Sequence, residues 1–438
     1  MAEIFKAYDI RGIYPVDINA EIAEKIGRAY VDFLGAKKIV IGRDMRPHSQ
    51  QLFEGLAKGI TAQGADVIDI GLSSTPQSYF ANGTLGADGS VMITASHNPG
   101  EWNGFKLCRA NAVPISGVTG IMDIKAAVEK GEFKKAEKTG TISTYDIKPQ
   151  YAQFLRSFAK MDRKLKVVVD YANAMGLYEI EGITDLFDII PMYDELDGTF
   201  PNHEANPLQL DTLDDICKKM KEVKADFGAA FDGDADRCGF IDNEGNIIPM
   251  DLFTALIAQD ILSNGPATIL YDLRSSRAVK ECIEANGGKA IQCRVGHAFI
   301  KNQMRENDAV FAGELSGHYY FKQNFTAESQ GLAMVMLANL ICKKNKPLSE
   351  LVNPLRKYAS SGEINSKVAD VKPILDKIRQ SYTDGHMFEL DGVSVEYDNW
   401  WFNIRSSNTE PLLRLIVEAD SEELMIAKRD ELLKIIRG

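Results

Sequence analysis

The sequence predicts an α/β protein of four domains, and three observations support this prediction. The chain has 438 residues, more than one hydrophobic core normally supports. Short β-rich runs alternate with helical patterns through most of its length, which is typical of α/β proteins. Three apolar runs also end on an aspartate, at Asp44, Asp170 and Asp272, at about one-domain spacing. We therefore expect three related α/β domains and a different C-terminal unit.

The β-rich runs fall into three groups: KKIVIG, DVIDIG and SVMITA; LKVVVDY, DIIPMY and FGAAFDG; ATILYD, KAIQCRV and AVFAGEL. The helical patterns between them include residues 211–223, 251–263, 276–286 and 328–343. At the C-terminus, VSVEYDNWWFNIRSS and LLRLIVEAD predict neighbouring strands before an amphipathic helix over 421–437, a small α+β unit. Polar stretches near KKAEKTGTIST, NEGN and YASSGE are expected linkers. The predicted domains are 1–146, 147–248, 249–358 and 359–438.

Composition narrows the function classes. Hydrophobic residues make up 45% and charged residues 26% of the chain, and no apolar run reaches the roughly 18 residues of a membrane span. The N-terminus has no basic segment followed by an apolar one, so a cytoplasmic location is expected. A formal charge of −12 argues against nucleic-acid binding. The cysteines form no CxxC pair, which argues against a disulfide framework or a zinc site: Cys108, Cys217, Cys238, Cys282, Cys293 and Cys342.

The stretch TASHNP, residues 94–99, follows an apolar run and should bring Ser96 to the C-terminal edge of a sheet, where ligands of open α/β sheets bind. Pro99 would keep the strand from continuing. A serine hydroxyl is a poor nucleophile unless a base or a cation activates it, and His97 or Lys106 could do so. A turn without chemistry explains this motif equally well when it is taken alone.

The stretch DGDADR, residues 232–237, places Asp232, Asp234 and Asp236 at alternate positions, so in an extended loop all three carboxylates project to one side. A calcium loop of the EF-hand type needs glycine at its sixth position and glutamate at its twelfth, where this chain has Arg237 and Asn243. A magnesium site shared with a phosphate fits better. An acidic surface loop is the alternative, but the apolar runs on both sides argue against it.

The stretch GELSGH, residues 313–318, alternates in the same way, so Glu314, Ser316 and His318 are expected to share a face. A carboxylate, a hydroxyl and an imidazole together suit a pair of neighbouring sugar hydroxyls. The glycines would allow close backbone approach. Taken alone, this stretch fits a segment without a binding role equally well.

The stretch RSSNTEP, residues 405–411, combines a guanidinium with hydroxyls and an amide before Pro411. Arginine holds phosphate through paired hydrogen bonds, and hydroxyl and backbone N–H groups can bind the remaining oxygens. The motif predicts a phosphate-binding loop, with a polar turn between strands as the alternative.

With these four stretches in this order, the chain resembles the α-D-phosphohexomutase family over its whole length. They match that family's phosphoserine, metal, sugar and phosphate loops. Further agreement comes from AYDIRG with Arg11, GRDMRP, NGFK with Lys106, and VGHAFIK with His297. The resemblance implies a heart-shaped molecule with a central cleft, built from three related mixed-sheet α/β domains and a C-terminal α+β domain similar to the TATA-binding protein.

The resemblance also implies the chemistry. Ser96 would carry a phosphate that completes the shell of a Mg²⁺ ion held by Asp232, Asp234 and Asp236. That phosphate would pass to a hexose phosphate through a hexose 1,6-bisphosphate, which is also the expected activator. The implied catalytic residues are Ser96, Lys106, Arg11, Arg237, His297 and His318, with Lys106, His297 or His318 as the base. The implied substrate-binding residues are Glu314, Ser316, His318, Arg274, Arg405, Ser407, Asn408, Thr409 and Arg414.

The motifs indicate the sugar of the substrate less clearly than they indicate the type of reaction. Leu315 and Asn408 look like the phosphomannomutase/phosphoglucomutase branch, whereas relatives acting on glucosamine phosphate tend to carry Gln and Gly there. Arg274 stands where relatives often have Lys, and AESQGL (327–332) replaces a more usual acidic pair. We expect mannose or glucose phosphate, or both, as substrate of a monomer or homodimer. The alternatives are a phosphoglucosamine mutase, a magnesium-dependent sugar phosphatase and a non-catalytic sugar-phosphate sensor.

Overall fold

The computed structural model describes residues 4–406 and 412–438. Their strands form four sheets, and each sheet lies inside one of the four predicted ranges. The α/β architecture is therefore confirmed. The precise domain boundaries and the heart-shaped outline stay predictions.

Domain 1 contains four helices around a seven-stranded sheet. The helices are α1 (Ala20–Leu34), α2 (Ser49–Ala62), α3 (Thr75–Thr84) and α4 (Ile121–Lys130). The strands are β1 (Ile10–Ile13), β2 (Lys38–Arg43), β3 (Asp66–Leu72), β4 (Gly89–Ile93), β5 (Trp102–Arg109), β6 (Val113–Pro114) and β7 (Ile142–Thr144). Their order is β1-β5-β4-β2-β3-β7, with β6 beside β5.

Domain 2 has a five-stranded sheet. Its helices are α5 (Lys148–Arg156), α6 (Gly176–Ile180) and α7 (Asp214–Val223). Its strands are β8 (Lys166–Asp170), β9 (Asp188–Met192), β10 (Phe227–Phe231), β11 (Cys238–Ile241) and β12 (Ile247–Ile248), in the order β12-β11-β10-β8-β9.

Domain 3 also has a five-stranded sheet. Its helices are α8 (Met250–Leu262), α9 (Arg277–Ala285), α10 (His297–Glu306), α11 (Gln330–Lys344) and α12 (Leu348–Val352). Its strands are β13 (Thr268–Asp272), β14 (Lys289–Cys293), β15 (Phe311–Gly313), β16 (Tyr319–Phe321) and β17 (Ala327–Glu328), in the order β14-β13-β15-β16-β17.

The predicted repeat is confirmed by the pairing of these three sheets. In each, a central strand (β2, β8 or β13) lies between two parallel neighbours, and a fourth strand (β5, β11 or β16) returns antiparallel. Asp44, Asp170 and Asp272 stand at equivalent points, at the C-terminal end of the central strand. Each accepts a hydrogen bond from the backbone N–H two residues further on. The same turn therefore follows the central strand in all three domains.

Domain 4 differs, as predicted. Its strands are β18 (Ala359–Ser360), β19 (Ile364–Lys367), β20 (His386–Phe388), β21 (Val393–Glu396), β22 (Trp400–Ser406) and β23 (Leu412–Ala419). They pair antiparallel throughout, with β22 beside β23. Helices α13 (Val371–Ser381) and α14 (Glu422–Arg437) complete this α+β unit.

Domain 4 also has its own core. Phe402 and Leu432 belong to an apolar cluster confined to this domain, whereas one continuous cluster runs through domains 1 to 3 and includes Phe80, Tyr151 and Leu332. Polar contacts join domain 4 to domain 3, such as the hydrogen bonds of Arg277 with Glu418 and with carbonyl groups of domain 4.

The expected linkers were partly wrong. Strand β7 lies inside KKAEKTGTIST and pairs with β3, and β18 lies inside YASSGE. NEGN is a tight turn between β11 and β12, closed by a hydrogen bond from the N–H of Asp242 to the carbonyl of Asn246. Polar composition at these places marks sheet edges and turns.

Two expectations from composition can be compared with the structure. All six cysteines are free thiols. Among the described residues, no helix combines the length and apolar character needed to cross a membrane.

Candidate active site

Ser96 lies in the loop between β4 and β5. Strand β4 is buried at every position, as expected for a central strand with neighbours on both sides. Ser96 itself is buried and has a φ of +52°, a left-handed conformation that is uncommon for a residue other than glycine. Its hydroxyl donates a hydrogen bond to Asp232 Oδ2 at 2.8 Å. Such local strain persists only where the surrounding structure holds it.

The contacts of two arginines hold the Ser96 loop in place. The buried Arg46 donates from Nη2 to the carbonyls of Ser96 and Asn98, at 2.8 and 2.6 Å. Its Nη1 donates to the carbonyls of Pro99, in the same loop, and of Trp102, the first residue of β5. Arg11 donates to the Ala95 carbonyl at 3.2 Å and to Asn98 Oδ1 at 2.5 Å. A left-handed serine is thus fixed by side chains from outside the loop.

The three aspartates of DGDADR converge, but through a different conformation from the expected one. The stretch is a turn between β10 and β11, with Ala235 at a φ of +60° and the N–H of Asp232 bonded to the carbonyl of Arg237. The prediction of an extended loop was therefore wrong. One oxygen of each carboxylate, from Asp232, Asp234 and Asp236, nevertheless lies within 4.8 Å of the others.

The aspartate cluster has the properties expected of a cation site. Burial and the neighbouring charges of Asp234 and Asp236 raise the pKa of Asp232 well above its usual range. Within the described residues, Asp234 Oδ1 is buried without a hydrogen-bond partner. A Cβ atom at Gly233 would lie 2.3 Å from the Ser96 carbonyl oxygen, so glycine permits the two loops to meet. Carboxylates crowded in this way, beside a serine that could carry phosphate, fit magnesium.

Domain 1 supplies two further groups to this cluster. Lys106, on β5, is buried, and its Nζ donates to Asp234 Oδ2 at 2.6 Å and to Asp236. Thr75, at the start of α3, donates its hydroxyl hydrogen to the same Asp234 oxygen at 2.5 Å. Burial alone would raise the pKa of Asp236, but Lys106 and His318 hold it well below its usual range.

The residues of GELSGH also converge through a turn, between β15 and β16, instead of the predicted alternating face. Gly317 has a φ of +81°, and its N–H donates to the Glu314 carbonyl. His318 Nδ1 lies 2.7 Å from Ser316 Oγ and 3.1 Å from Glu314 Oε2. The three side chains form one polar group because of this turn, and not because alternate residues of an extended segment share a face.

His318 connects the sugar loop to the metal loop. Its Nε2 lies 3.4 Å from Asp236 Oδ1 and 3.3 Å from Arg237 Nε. Burial would lower its pKa, but Asp236 and Glu314 raise it to about 9. The raised pKa favours the ring with both protons, in which each nitrogen can donate to a carboxylate, whereas the 3.3 Å hydrogen bond from Arg237 Nε needs Nε2 as an acceptor.

His297 has the opposite electrostatic character. It is the first residue of α10, and its Nδ1 is buried with no hydrogen-bond partner in the described part of the chain. Burial and the nearby charge of Lys301 hold its pKa well below 6.5. The preceding N–H, of Gly296, donates to Glu314 Oε1 at 3.1 Å and so ties this residue to the sugar loop.

The predicted phosphate-binding residues are described in part. Arg405 and Arg414 face each other across β22 and β23. Arg274 follows β13, and its side chain is bonded to Asp272. Ser407, Asn408 and Thr409 lie outside the described residues.

Sequence reasoning missed the roles of Arg46 and Thr75. Arg46 had a usable signal, because Asp44-Met45-Arg46 and Asp272-Leu273-Arg274 repeat the same pattern after equivalent strands. In both, the arginine side chain bonds to the aspartate two residues before it. Thr75 had no comparable signal, since its contact with Asp234 joins residues 159 positions apart.

Comparisons with known proteins identify the family of the four domains. Four phosphoglucomutase/phosphomannomutase models match in order: alpha/beta/alpha domain I at residues 2–135, domain II at 149–245, domain III at 249–358 and the C-terminal domain at 363–435. A phosphomannomutase of Methanocaldococcus jannaschii is 43% identical over 99% of this chain and 97% of its own. One from Escherichia coli is 39% identical over 99% of both chains.

A crystal structure of a phosphoglucomutase/phosphomannomutase family protein from Burkholderia thailandensis superimposes with a TM-score of 0.92 and 33% identity, over 100% of this chain and 97% of that one. The fold, the loop order and these matches define an isomerase of the α-D-phosphohexomutase class. Within that class, the chain belongs to the phosphoglucomutase/phosphomannomutase family.

Proposed function

We propose that the protein interconverts hexose 1-phosphate and hexose 6-phosphate, with mannose or glucose phosphate, or both, as substrate. The observation that carries the proposal is the 2.8 Å hydrogen bond from Ser96 Oγ to Asp232. It places a hydroxyl that can carry phosphate against three buried carboxylates from another domain. Arg46 and Arg11 hold that hydroxyl in a strained loop, which a passive turn would not need.

In this proposal the Ser96 phosphate and the carboxylates of Asp232, Asp234 and Asp236 hold a magnesium ion. When bound, the ion supplies positive charge that offsets the charge of the phosphoryl group in transit. The chain adds Arg237, whose backbone N–H already bonds to Asp232 Oδ1 at 3.1 Å and whose side chain faces His318. A hexose 1,6-bisphosphate is the activator, because it can phosphorylate an enzyme that has lost its phosphate.

The reaction has two half-reactions. In the first, a free hydroxyl of the hexose phosphate attacks phosphorus, the bond from phosphorus to Ser96 Oγ breaks, and a base takes the hydroxyl proton. The bisphosphate then turns over in the site. In the second, Ser96 Oγ takes the other phosphoryl group, and the proton returns to the oxygen left on the sugar.

Among Lys106, His297 and His318, we assign the base to His297. A base must be unprotonated at neutral pH, and His297 is the member of this set whose pKa is lowered below 6.5. His318, with a pKa raised to about 9, acts as a cation that orients Glu314 and Asp236. Lys106 and Arg11 then serve to hold the reacting groups and to neutralise charge.

A substrate that binds in two orientations must be held by groups that suit both. Glu314 and Ser316 would bind a neighbouring pair of sugar hydroxyls, which exchange places when the sugar turns. The arginines of domain 4 would bind the phosphate that does not react. Since mannose and glucose differ only at C2, contacts that ignore C2 would accept both sugars. A phosphoglucosamine mutase remains the alternative within the class.

A product assay tests the proposal. The enzyme, with magnesium and a trace of hexose 1,6-bisphosphate, is incubated separately with glucose 1-phosphate, mannose 1-phosphate and glucosamine 1-phosphate. Hexose 6-phosphate should form from the first two, and the mass of the intact protein should show one phosphate on Ser96. Inorganic phosphate as the main product would indicate a phosphatase, and binding without turnover would indicate a sensor. We further propose a cytoplasmic location and a monomer or homodimer, of which chromatography with light scattering would determine the oligomeric state.

A further inference from the structure

A carboxylate of domain 4, that of Glu363, contacts three arginines. Glu363 Oε2 accepts a hydrogen bond from Arg405 Nη2 at 2.8 Å, and Oε1 accepts one from Arg414 Nη1 at 3.1 Å. Arg274 Nη1, from domain 3, lies 3.6 Å from Glu363 Oε2. The sequence pattern gave no role to Glu363.

Two of the three arginines are too buried to lie near one another without a counter-charge. The side chains of Arg405 and Arg274 are 3% and 8% exposed, and that of Glu363 is 20% exposed. Guanidinium groups are always charged, so three of them in a poorly solvated region repel one another. One carboxylate offers about four acceptor positions, enough to bond to more than one guanidinium at once. Burial would raise the pKa of Glu363, but these arginines lower it, so the carboxylate is ionised.

Neighbouring elements fix Glu363 and its partners. Glu363 immediately precedes β19, whose Asn365 pairs with Arg414 on β23, so the sheet that carries Arg405 and Arg414 sets its position. On the domain 3 side, Asp272 accepts a 2.6 Å hydrogen bond from Arg274 Nη2 and fixes that guanidinium. Glu363 therefore bridges a fixed arginine of domain 3 and two strand arginines of domain 4.

We propose that Glu363 is a positioning residue, which gathers Arg274, Arg405 and Arg414 into one phosphate-binding group across the junction of domains 3 and 4. The identity of the ligand, the non-reacting phosphate of a hexose phosphate, rests on the proposed function. Glu363 neutralises only part of the arginine charge. Arg405 Nε is buried without a hydrogen-bond partner among the described residues, which leaves a donor for an anion. The phosphate joins the group beside the carboxylate and does not replace it.

The test distinguishes a Glu363 carboxylate that positions the arginines from one that competes with phosphate for them. In Glu363→Gln the arginines lose their counter-charge and separate, so KM for the hexose phosphate should rise by about 10-fold or more. The value of kcat should stay within about threefold, because the non-reacting phosphate is bound equally in the ground state and the transition state. Glu363→Asp should recover part of the lost affinity. Glu389→Gln, which removes an exposed carboxylate paired with Arg379, is the matched control and should leave KM unchanged.

An unchanged or lower KM in Glu363→Gln would overturn the proposal, because it would mean that the carboxylate is idle or occupies the phosphate position. A purely structural role would lower the unfolding temperature of both Glu363 variants without this split between KM and kcat. If wild-type protein shows no mutase activity, the proposed function fails but this inference can still be tested. Thermal stabilisation by inorganic phosphate should then be strong in wild type and weak in Glu363→Gln, and equal stabilisation would contradict it.

Discussion

The carboxylate of Glu179, in domain 2, accepts a hydrogen bond from the hydroxyl of Ser74, in domain 1, at 2.6 Å. The same group accepts one from the Tyr151 hydroxyl at 2.7 Å and one from the backbone N–H of Gly331, in domain 3, at 2.8 Å. Burial raises the pKa of Glu179 to about 7. One buried carboxyl group therefore joins three domains and changes its charge near neutral pH.

This geometry predicts that the contribution of Glu179 to the stability of the fold falls as pH rises. The folded pKa of Glu179 lies above the ordinary value of 4.5, so the folded protein binds this proton more tightly than the unfolded chain does. The resulting stabilisation is complete below pH 4.5 and is lost as pH rises through 7. Glu179→Gln keeps a neutral group at every pH. By thermal unfolding at about pH 8, it should be more stable than wild type by about 1–3 kcal/mol, and at about pH 5 the two should be close.

Glu181→Gln is the matched control for this measurement. Glu181 lies two residues further along the chain, exposed and 3.9 Å from Lys148, so its loss should leave the wild-type pH dependence in place. A Glu179→Gln variant whose stability still fell with pH as in wild type would show that another group titrates there.

Ser96→Ala should abolish nearly all turnover while hexose phosphate binding is retained. Alanine removes the oxygen that carries the phosphoryl group in the proposed mechanism but leaves the arginines and the sugar loop in place. Calorimetric titration with glucose 6-phosphate measures binding, and the mass of the intact protein should show no bound phosphate. Ser143→Ala, at an exposed position of β7, should keep both activity and the phosphate. Full activity in Ser96→Ala would remove the phosphoserine from the mechanism.

The sequence predicted the strands and helices that have a local apolar pattern. It missed the features that depend on exposed edge strands or on contacts between distant residues. Runs such as LKVVVDY identified the central strands because these strands are buried on both faces. Strand β7 was mistaken for part of a linker because its three side chains are all exposed, so as an edge strand it carries no apolar signal. The left-handed backbone of Ser96 depends on Arg46, 50 residues away, and no local pattern encodes such a contact. The convergence of the aspartates was predictable from their charge, whereas the turn that produces it was not.

Arg46→Lys should lower kcat more than it raises KM. Lysine keeps the charge but has a single nitrogen, so it cannot donate to all four backbone carbonyls that Arg46 contacts in and beside the Ser96 loop. The Ser96 loop would then relax from its strained conformation, and kcat should fall by about 10-fold or more. A 10-fold fall corresponds to a rise of about 1.4 kcal/mol in the activation free energy. KM should change by less than about threefold, because the side chain of Arg46 bonds to Asp44 and to backbone carbonyls of residues 96–102. Steady-state kinetics gives both constants.

Arg43→Lys is the control, because Arg43 belongs to the same sequence motif but bonds to Asp69, away from the Ser96 loop. It should retain the wild-type kcat. Equal losses in both variants would mean that the motif acts through general stability and not through the loop carbonyls.

His297→Gln should remove the acidic limb of the pH–rate profile. The pKa of His297 lies well below 6.5, so in wild type kcat should be constant near neutral pH and fall as acid protonates this base. Glutamine has a similar size and can form hydrogen bonds, but it cannot accept the proton. The variant should therefore lose about 10²- to 10⁴-fold in kcat and show no acidic limb over the range in which it stays folded.

The comparison with His318→Gln completes this test. His318 is already protonated at neutral pH, with a pKa of about 9, so its replacement should lower activity yet leave the acidic limb unchanged. An acidic limb that persisted in His297→Gln and disappeared in His318→Gln would assign the base to His318. The His318 ring contacts the sugar loop, and His297 follows Gly296, whose N–H bonds to Glu314, so replacing either residue is expected to disturb that loop. The shape of the pH–rate profile therefore separates their roles, whereas loss of activity alone would not.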